Sequence, residues 1–302
     1  MGFAISGVWS AVATPLDDGL NPDRARLDRQ CRWLLDNGCD GIALLGTTGE
    51  ANSFSVEERK AILEGVIAGG VSPEQLAPGV GVAAIPETVE LTRHALSLGV
   101  TRMVMLPPFY YKNVPDDGVF AAFARVIETV ADSRLKVVLY NFPQQSGVPL
   151  CLDLVARLIA AFPGTVVGIK DSTGKLENTV GYCGLDEGFA VMVGADPLFR
   201  QVLQAGGAGC ITALSNLCAP ELRAVYDGWG DPGRTEEVER ALGRLEALRA
   251  LSLAYGPQLP TIKAMLARRD GDDGWNRLRP PLMTLSAEQR QDLDARLLAE
   301  TA

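Results

Sequence analysis

The stretch KVVLYNFPQQSGVPLCLDLVARLIAAFPGTVVGIKD, residues 136–171, decides the fold. It opens on one apolar run, Lys136–Tyr140, and closes on a second, Val166–Ile169. Between them Leu152–Ala160 carries its apolar residues at helical spacing. Both runs are short, rich in β-branched residues and nearly continuous in their hydrophobicity, the pattern of strands covered on both faces. Two such strands joined by a helix make a parallel βαβ unit.

The same alternation continues in both directions. Strands are expected at Val8–Val12, Gly41–Leu45, Gly79–Val82, Arg102–Leu106, Ala190–Val193 and Gly209–Thr212. Helices are expected at Asp23–Leu35, Val56–Ile67, Glu87–Leu98, Asp116–Val130, Leu176–Gly184, Pro197–Ala205 and Pro220–Trp229. Ser55 with Glu58 forms a capping box. Pro86, Pro115, Pro197 and Pro220 stand where a first helical turn accepts proline, and Gly38, Gly99 and Gly206 stand where helices end. Eight βα units in 302 residues predict an α/β protein, a (β/α)8 TIM barrel. An open doubly wound sheet could use the same units, but the closed barrel fits their number and the chain length better. Three more helical stretches follow, at 236–254, 258–268 and 287–298. The expected organisation is a barrel catalytic domain over residues 1–230 and a C-terminal helical extension over residues 231–302.

Composition removes several function classes. The chain has 28 Lys and Arg against 37 Asp and Glu, a net charge of −9, and no basic cluster. Nucleic acid and anionic membrane surfaces are poor partners for it. Its single histidine, His94, excludes a site with two imidazole ligands, so proton transfer falls to Lys, Tyr, Glu, Asp or Cys. His94 lies mid-helix, away from every strand end, and is expected to be structural. The six cysteines form no C-x-x-C pair and read as reduced, buried thiols, with no metal site. No apolar run approaches the ~20 residues of a membrane span. The first basic residue is Arg24, so no secretory signal is read and a cytoplasmic protein is expected.

A barrel enzyme carries its chemistry at the C-terminal ends of its strands. Gly46-Thr47-Thr48-Gly49-Glu50 follows the second strand, and Pro107-Pro108-Phe109-Tyr110-Tyr111 the fourth. The fifth ends in Tyr140-Asn141-Phe142-Pro143, the sixth in Gly168-Ile169-Lys170-Asp171. A strand-end lysine is short of water, which favours the neutral amine that forms Schiff bases with carbonyls. The alternative is an ammonium that reaches the rim or pairs with Asp171, itself read as structural. The turn at residues 46–50 can present backbone amides and hydroxyls to an anion, or can be an ordinary βα turn. Tyr140, Tyr110 and Tyr111 suit proton transfer or a rim position equally well. In a barrel these residues would converge on one rim as an amine, an anion nest and phenols. That set suits a 2-oxo acid, its carboxylate in the nest and its ketone at the lysine.

These four motifs, in this order and spacing, resemble the pyruvate-dependent class I aldolases and lyases that include dihydrodipicolinate synthase and N-acetylneuraminate lyase. The likeness extends over nearly the whole chain, to Arg279-Pro280-Pro281-Leu282. It implies Lys170 as the Schiff-base lysine and Tyr140 as the proton carrier. Thr47 and Tyr110 would complete the relay, with Tyr110 reaching a neighbouring subunit's site. Thr48 would hold the carboxylate, and Gly46, Gln145, Asp196 and Ile211 would be further substrate contacts. It also implies no cofactor, pyruvate and an aldehyde as small-molecule partners, and a homo-oligomer built as a dimer of dimers.

The specificity positions depart from both named members. Gln145 stands where the synthase has an arginine for aspartate semialdehyde, and an amide cannot replace a bidentate guanidinium. Phe109 and Val56 stand where lysine-inhibited bacterial synthases carry a tyrosine and a histidine. Ser146-Gly147-Val148 is closer to the neuraminate lyase. However, Pro197 replaces that lyase's glutamate, and Ala213 a polar residue. The expected activity is a Schiff-base aldolase or lyase of a 2-oxo acid such as a 2-oxo-3-deoxy sugar acid. The alternatives are the dihydrodipicolinate synthase reaction, a Schiff-base sugar-acid dehydratase and a non-catalytic 2-oxo acid binder.

Overall fold

The computed structural model describes residues 2–300. Seven strands form one parallel sheet: β1 Gly7–Ala11, β2 Gly41–Ala43, β3 Arg102–Met105, β4 Lys136–Asn141, β5 Val166–Asp171, β6 Ala190–Val193 and β7 Gly209–Thr212. Their order is β2-β1-β7-β6-β5-β4-β3, so only β2 and β3 lack a neighbour on one side. The segment at residues 76–80 fills that gap. Isolated bridges join Leu76 to Ile42 and Gly79 to Val104. The Ala77 and Gly79 amides donate to Ile42 and Leu44, while Val80 and Val104 bond across to the other side.

The strand expected at Gly79–Val82 is thus an irregular stave that begins earlier, near Leu76. Its sequence explains the irregularity. Pro78 has no N–H for a ladder, and a Cβ at Gly79 would lie 2.3 Å from the Leu45 carbonyl oxygen. With this stave the sheet closes as an eight-stave barrel.

The helices between the strands are α1 Arg24–Asp36, α2 Val56–Ala68, α3 Ile85–Ser97, α4 Asp116–Val130, the single turn α5 Pro143–Ser146, α6 Leu152–Ala161, α7 Leu176–Cys183, α8 Phe199–Gln204 and α9 Ser215–Gly228. The Ser55–Glu58 capping box opens α2 with both of its hydrogen bonds in place. The last of these helices begins five residues before the expected Pro220. Cys218 breaks it, with φ −128° and ψ 36°, because the Pro220 ring excludes a helical carbonyl four residues earlier.

The tail contributes α10 Thr235–Ser252, α11 Gln258–Asp270 and α12 Ala287–Glu300. Leu259, Ile262 and Leu266 of α11 pack on Ala13 and Ala213, which follow β1 and β7. The tail therefore lies against the C-terminal rim of the barrel. No helix among the described residues is long and apolar enough to cross a membrane. All six cysteines are free; four are buried, and burial pushes Cys31 and Cys39 up to about 12. His94 faces Glu64 across α2 and α3 at 3.3 Å.

Candidate active site

One irregularity in β5 sets the position of the lysine. Val137 pairs with Val166 and the next residue, Val138, with Gly168, so β5 carries one extra residue at Val167. Successive strand side chains alternate between faces, and an extra residue shifts that alternation by one. Val167 faces the barrel interior with Val138 and Tyr140, while Ile169 packs outward. Lys170 then turns inward, directly opposite Tyr140 in register.

Lys170 is only 5% exposed. Its Nζ lies 4.3 Å from the centroid of the Tyr140 ring. The Tyr140 hydroxyl is 3.4 Å from Thr47 Oγ1. Among the described residues, neither a carboxylate nor a hydrogen-bond acceptor binds Lys170 Nζ.

Asp171 points the other way. Its carboxylate accepts from Asn141 Nδ2 at 2.8 Å, Thr173 Oγ1 at 2.7 Å and Thr179 Oγ1 at 2.5 Å. This network ties β5 to β4 and α7, which is the structural role expected for it. Tyr182 completes the cluster, and burial raises its phenol well above the ordinary value.

The turn after β2 approaches from the opposite wall. Gly49 is required there, since a Cβ would come within 2.9 Å of the Leu45 nitrogen and 3.1 Å of the Val12 oxygen. Glu50 follows with a left-handed φ of 54°. Its buried side chain does not face the cavity. It accepts from Lys263 of α11 and from the Arg279 amide at 3.3 Å, which pins the turn to the tail. Among the described residues, the Thr47 and Thr48 amides donate to no protein group, so both remain free for an anion.

A cavity of roughly 300 Å³ brings Lys170, Tyr140, Thr47, Thr48, Gln145 and Ile211 together. Three expected site residues are not on its wall. Gly46 shapes the turn from behind, accepting from the Ala51 amide. Tyr110 is 73% exposed and stacked edge-on against Tyr111, outside the cavity of its own chain. Asp196 is wholly buried and bound to Arg249 Nη1 at 3.0 Å. Burial pushes its carboxyl above the ordinary range even with Arg249 beside it.

Phe142, from the strand-end motif already noted, adds to the wall, and residues that the sequence did not single out extend it: Ser172 after β5, Arg249 from α10, Pro257 just before α11, and Gln258, Leu259 and Ile262 from its start. No sequence signal places the tail here; Arg249 reads as one surface charge among several on an amphipathic helix. Among the described residues, no cluster of three His, Cys, Asp or Glu side chains could hold a metal ion.

A closed parallel barrel whose buried amine opens into a cavity at the C-terminal rim has the architecture of a barrel enzyme. The chain belongs to the dihydrodipicolinate synthetase family, whose model matches residues 4–300. It is 36% identical over 300 residues to an uncharacterized DapA-like lyase of Chloroflexus aurantiacus, covering 98% of each chain. It is 32% identical to the 4-hydroxy-tetrahydrodipicolinate synthase of Methanothrix thermoacetophila, over 95% of this chain and 94% of that one. The dihydrodipicolinate synthase structure from Agrobacterium tumefaciens superposes with a TM-score of 0.88 at 31% identity, covering 98% and 99% of the two chains. A prophage protein of E. coli from the same family, solved with pyruvate, superposes at 0.87 and 25% identity, over 98% and 99%. The chain is therefore a lyase of this family.

Proposed function

We propose that the protein is a pyruvate-dependent class I aldolase that cleaves or forms a 2-oxo acid, such as a 2-oxo-3-deoxy sugar acid, through Lys170. One observation carries this reading: an unpaired lysine amine faces the cavity 4.3 Å from the Tyr140 ring, whose hydroxyl meets Thr47.

The Lys170 amine attacks C2 of the 2-oxo acid, and loss of water leaves an iminium. The iminium accepts electrons from the C3–C4 bond, which breaks to release an aldehyde and an enamine. Tyr140 takes the proton from the C4 hydroxyl, assisted by Thr47, and a proton returned to C3 precedes hydrolysis to pyruvate. The free Thr47 and Thr48 amides hold the carboxylate throughout. The reverse sequence adds the enamine to an aldehyde. The exposure of Tyr110 suits insertion into a neighbouring subunit's relay, within a homotetramer built as a dimer of dimers.

Condensation of pyruvate with aspartate semialdehyde is the second reading, favoured by the names of several relatives. Gln145 removes the charge from the position where the synthase resembled here has its arginine, so this second reading needs a cation from elsewhere on the cavity wall. Borohydride reduction in the presence of pyruvate tests the chemistry: a reduced adduct on Lys170 is expected, and its absence overturns the reading. Pyruvate release across a sugar-acid panel then separates the two substrate classes.

A further inference from the structure

The charges on the cavity wall are lopsided. Among the described residues that line it, Lys170 and Arg249 are basic and none is acidic. This contrasts with a chain whose net charge is −9. The nest and Lys170 account for one anion, the carboxylate beside the ketone. Arg249, on the tail side of the cavity, has no counterpart in that scheme.

We propose that Arg249 receives a second oxyanion at the far end of the substrate. On this view the true substrate is a 2-oxo acid with a second acid group, and its aldehyde fragment is an anion. This rests on the Schiff-base reading above and narrows its substrate class.

Three features support the assignment. Asp196 holds Arg249 from behind: the carboxylate is completely buried, whereas the guanidinium side chain keeps 25% of its surface. A ligand in the cavity therefore meets the cation and not its partner. Arg249 uses one of its donors, Nη1, on Asp196, and among the described residues its Nε and Nη2 bind no protein group. A guanidinium fixed at one edge with free N–H groups at the others suits a carboxylate or a phosphate. Gln258, on the wall of the same cavity, is held by a 2.9 Å hydrogen bond from Nε2 to Ser252 Oγ, and its carbonyl oxygen remains available for a substrate hydroxyl. Gln145 leaves the strand-end side of this cavity without a cation, so Arg249 provides from the tail the charge that a polar acceptor needs.

The test pairs acceptors that differ mainly in charge, each condensed with pyruvate. Succinate semialdehyde against butanal probes a carboxylate, and glyceraldehyde 3-phosphate against glyceraldehyde probes a phosphate. The wild type is expected to prefer the charged member of one pair in kcat/KM. Arg249→Ala should reduce that preference by roughly 10- to 100-fold, as loss of a charged hydrogen bond implies. Arg249→Lys should restore part of it. Because Arg249→Ala leaves Asp196 buried and unpaired, the double variant Arg249→Ala with Asp196→Asn is measured alongside and should show the same loss.

The pair that responds identifies the oxyanion. An unchanged preference in both pairs, with the Lys170 adduct still trapped by borohydride, overturns the role of Arg249 while leaving the Schiff base intact. Failure of the wild type to give the adduct overturns the underlying reading instead.

Discussion

Tyr140 and Lys170 are register partners on β4 and β5, and they face the same interior because β5 carries one more residue than β4. Without that residue Val167 and Lys170, three apart, would lie on opposite faces of the strand. Gly168 closes the irregularity on β5 and packs tightly on β6, where a Cβ would lie 2.5 Å from the Ala190 oxygen and 3.0 Å from its Cβ. Gly168→Ala should therefore force β5 away from β6. The expected cost is about 1–3 kcal/mol of stability, together with a slower rate of pyruvate adduct formation at Lys170. Urea denaturation and borohydride trapping time courses check both; an unchanged trapping rate would show that the lysine is placed by something other than this bulge.

The hydroxyl of Tyr140 is the part of that side chain expected to matter for turnover. The residue is 3% exposed and packs with the apolar residues of the barrel interior, so Tyr140→Phe keeps the packing. It removes the contact with Thr47 and with it the hydroxyl proposed to carry the proton. A fall in kcat of roughly 10²- to 10⁴-fold is expected, with little change in the melting temperature. Steady-state kinetics beside a thermal melt separate the two effects, and near-wild-type turnover would remove Tyr140 from the relay.

Much of this was legible in the sequence, because a buried parallel strand and an amphipathic helix leave different periodicities. The helix expected at Asp116–Val130 has those bounds in the structure, and the apolar runs at 136–140 and 190–193 lie in β4 and β6. The third stave was harder to place, because Pro78 and two close-packed glycines suppress the ladder that an apolar run normally forms. Lys170 and Tyr140 stand out in the sequence because each ends an apolar run with a polar group, and the structure places them as register partners. The side on which each points was not legible, since a one-residue bulge leaves no periodic trace. Arg249 and Asp196 show the same limit at longer range: they are 53 residues apart, and neither residue's surroundings announce the other.

Two of the ion pairs that fasten the tail to the barrel, Arg279–Glu58 and Arg26–Asp272, depend on carboxylates held below their ordinary values. Arg279 lowers Glu58 of α2 from 4.5, chiefly through its side-chain hydrogen bonds. Arg26 of α1 lowers Asp272 from 3.8 in the same way, gripping it with Nε and Nη2 at 2.8 and 2.9 Å. A carboxylate whose pKa is depressed by folding contributes stability that is fully present above its unfolded pKa. That contribution is lost as the pH falls through the lower, folded value. Above about pH 5 both contacts should therefore be intact, and below about pH 4 they should weaken progressively. Hydrogen exchange at pH 6 and pH 3.5, corrected for intrinsic rates, is expected to show protection falling first in the segment at residues 272–282. Equal loss of protection in tail and barrel would count against this local release.

Lys263 and Glu50 are both completely buried, and they link α11 to the turn that presents Thr47 and Thr48. Burial pushes the Lys263 ammonium below its ordinary 10.5 even with Glu50 beside it. The ammonium also donates to the Arg277 carbonyl at 2.8 Å. Removing one partner strands the other charge in the interior, so Lys263→Met should cost about 3–5 kcal/mol. Adding Glu50→Gln removes the stranded charge and should recover a large part of that loss. The turn makes a second prediction. Because Glu50 sits at a left-handed φ and its side chain anchors the motif to the tail, the double variant should still hold pyruvate less tightly than the wild type. Urea denaturation of the single and double variants measures the first effect, and the pyruvate concentration for half-maximal trapping at Lys170 measures the second. A double variant no more stable than the single one would mean that the hydrogen bonds of Glu50, rather than its charge, hold this corner together.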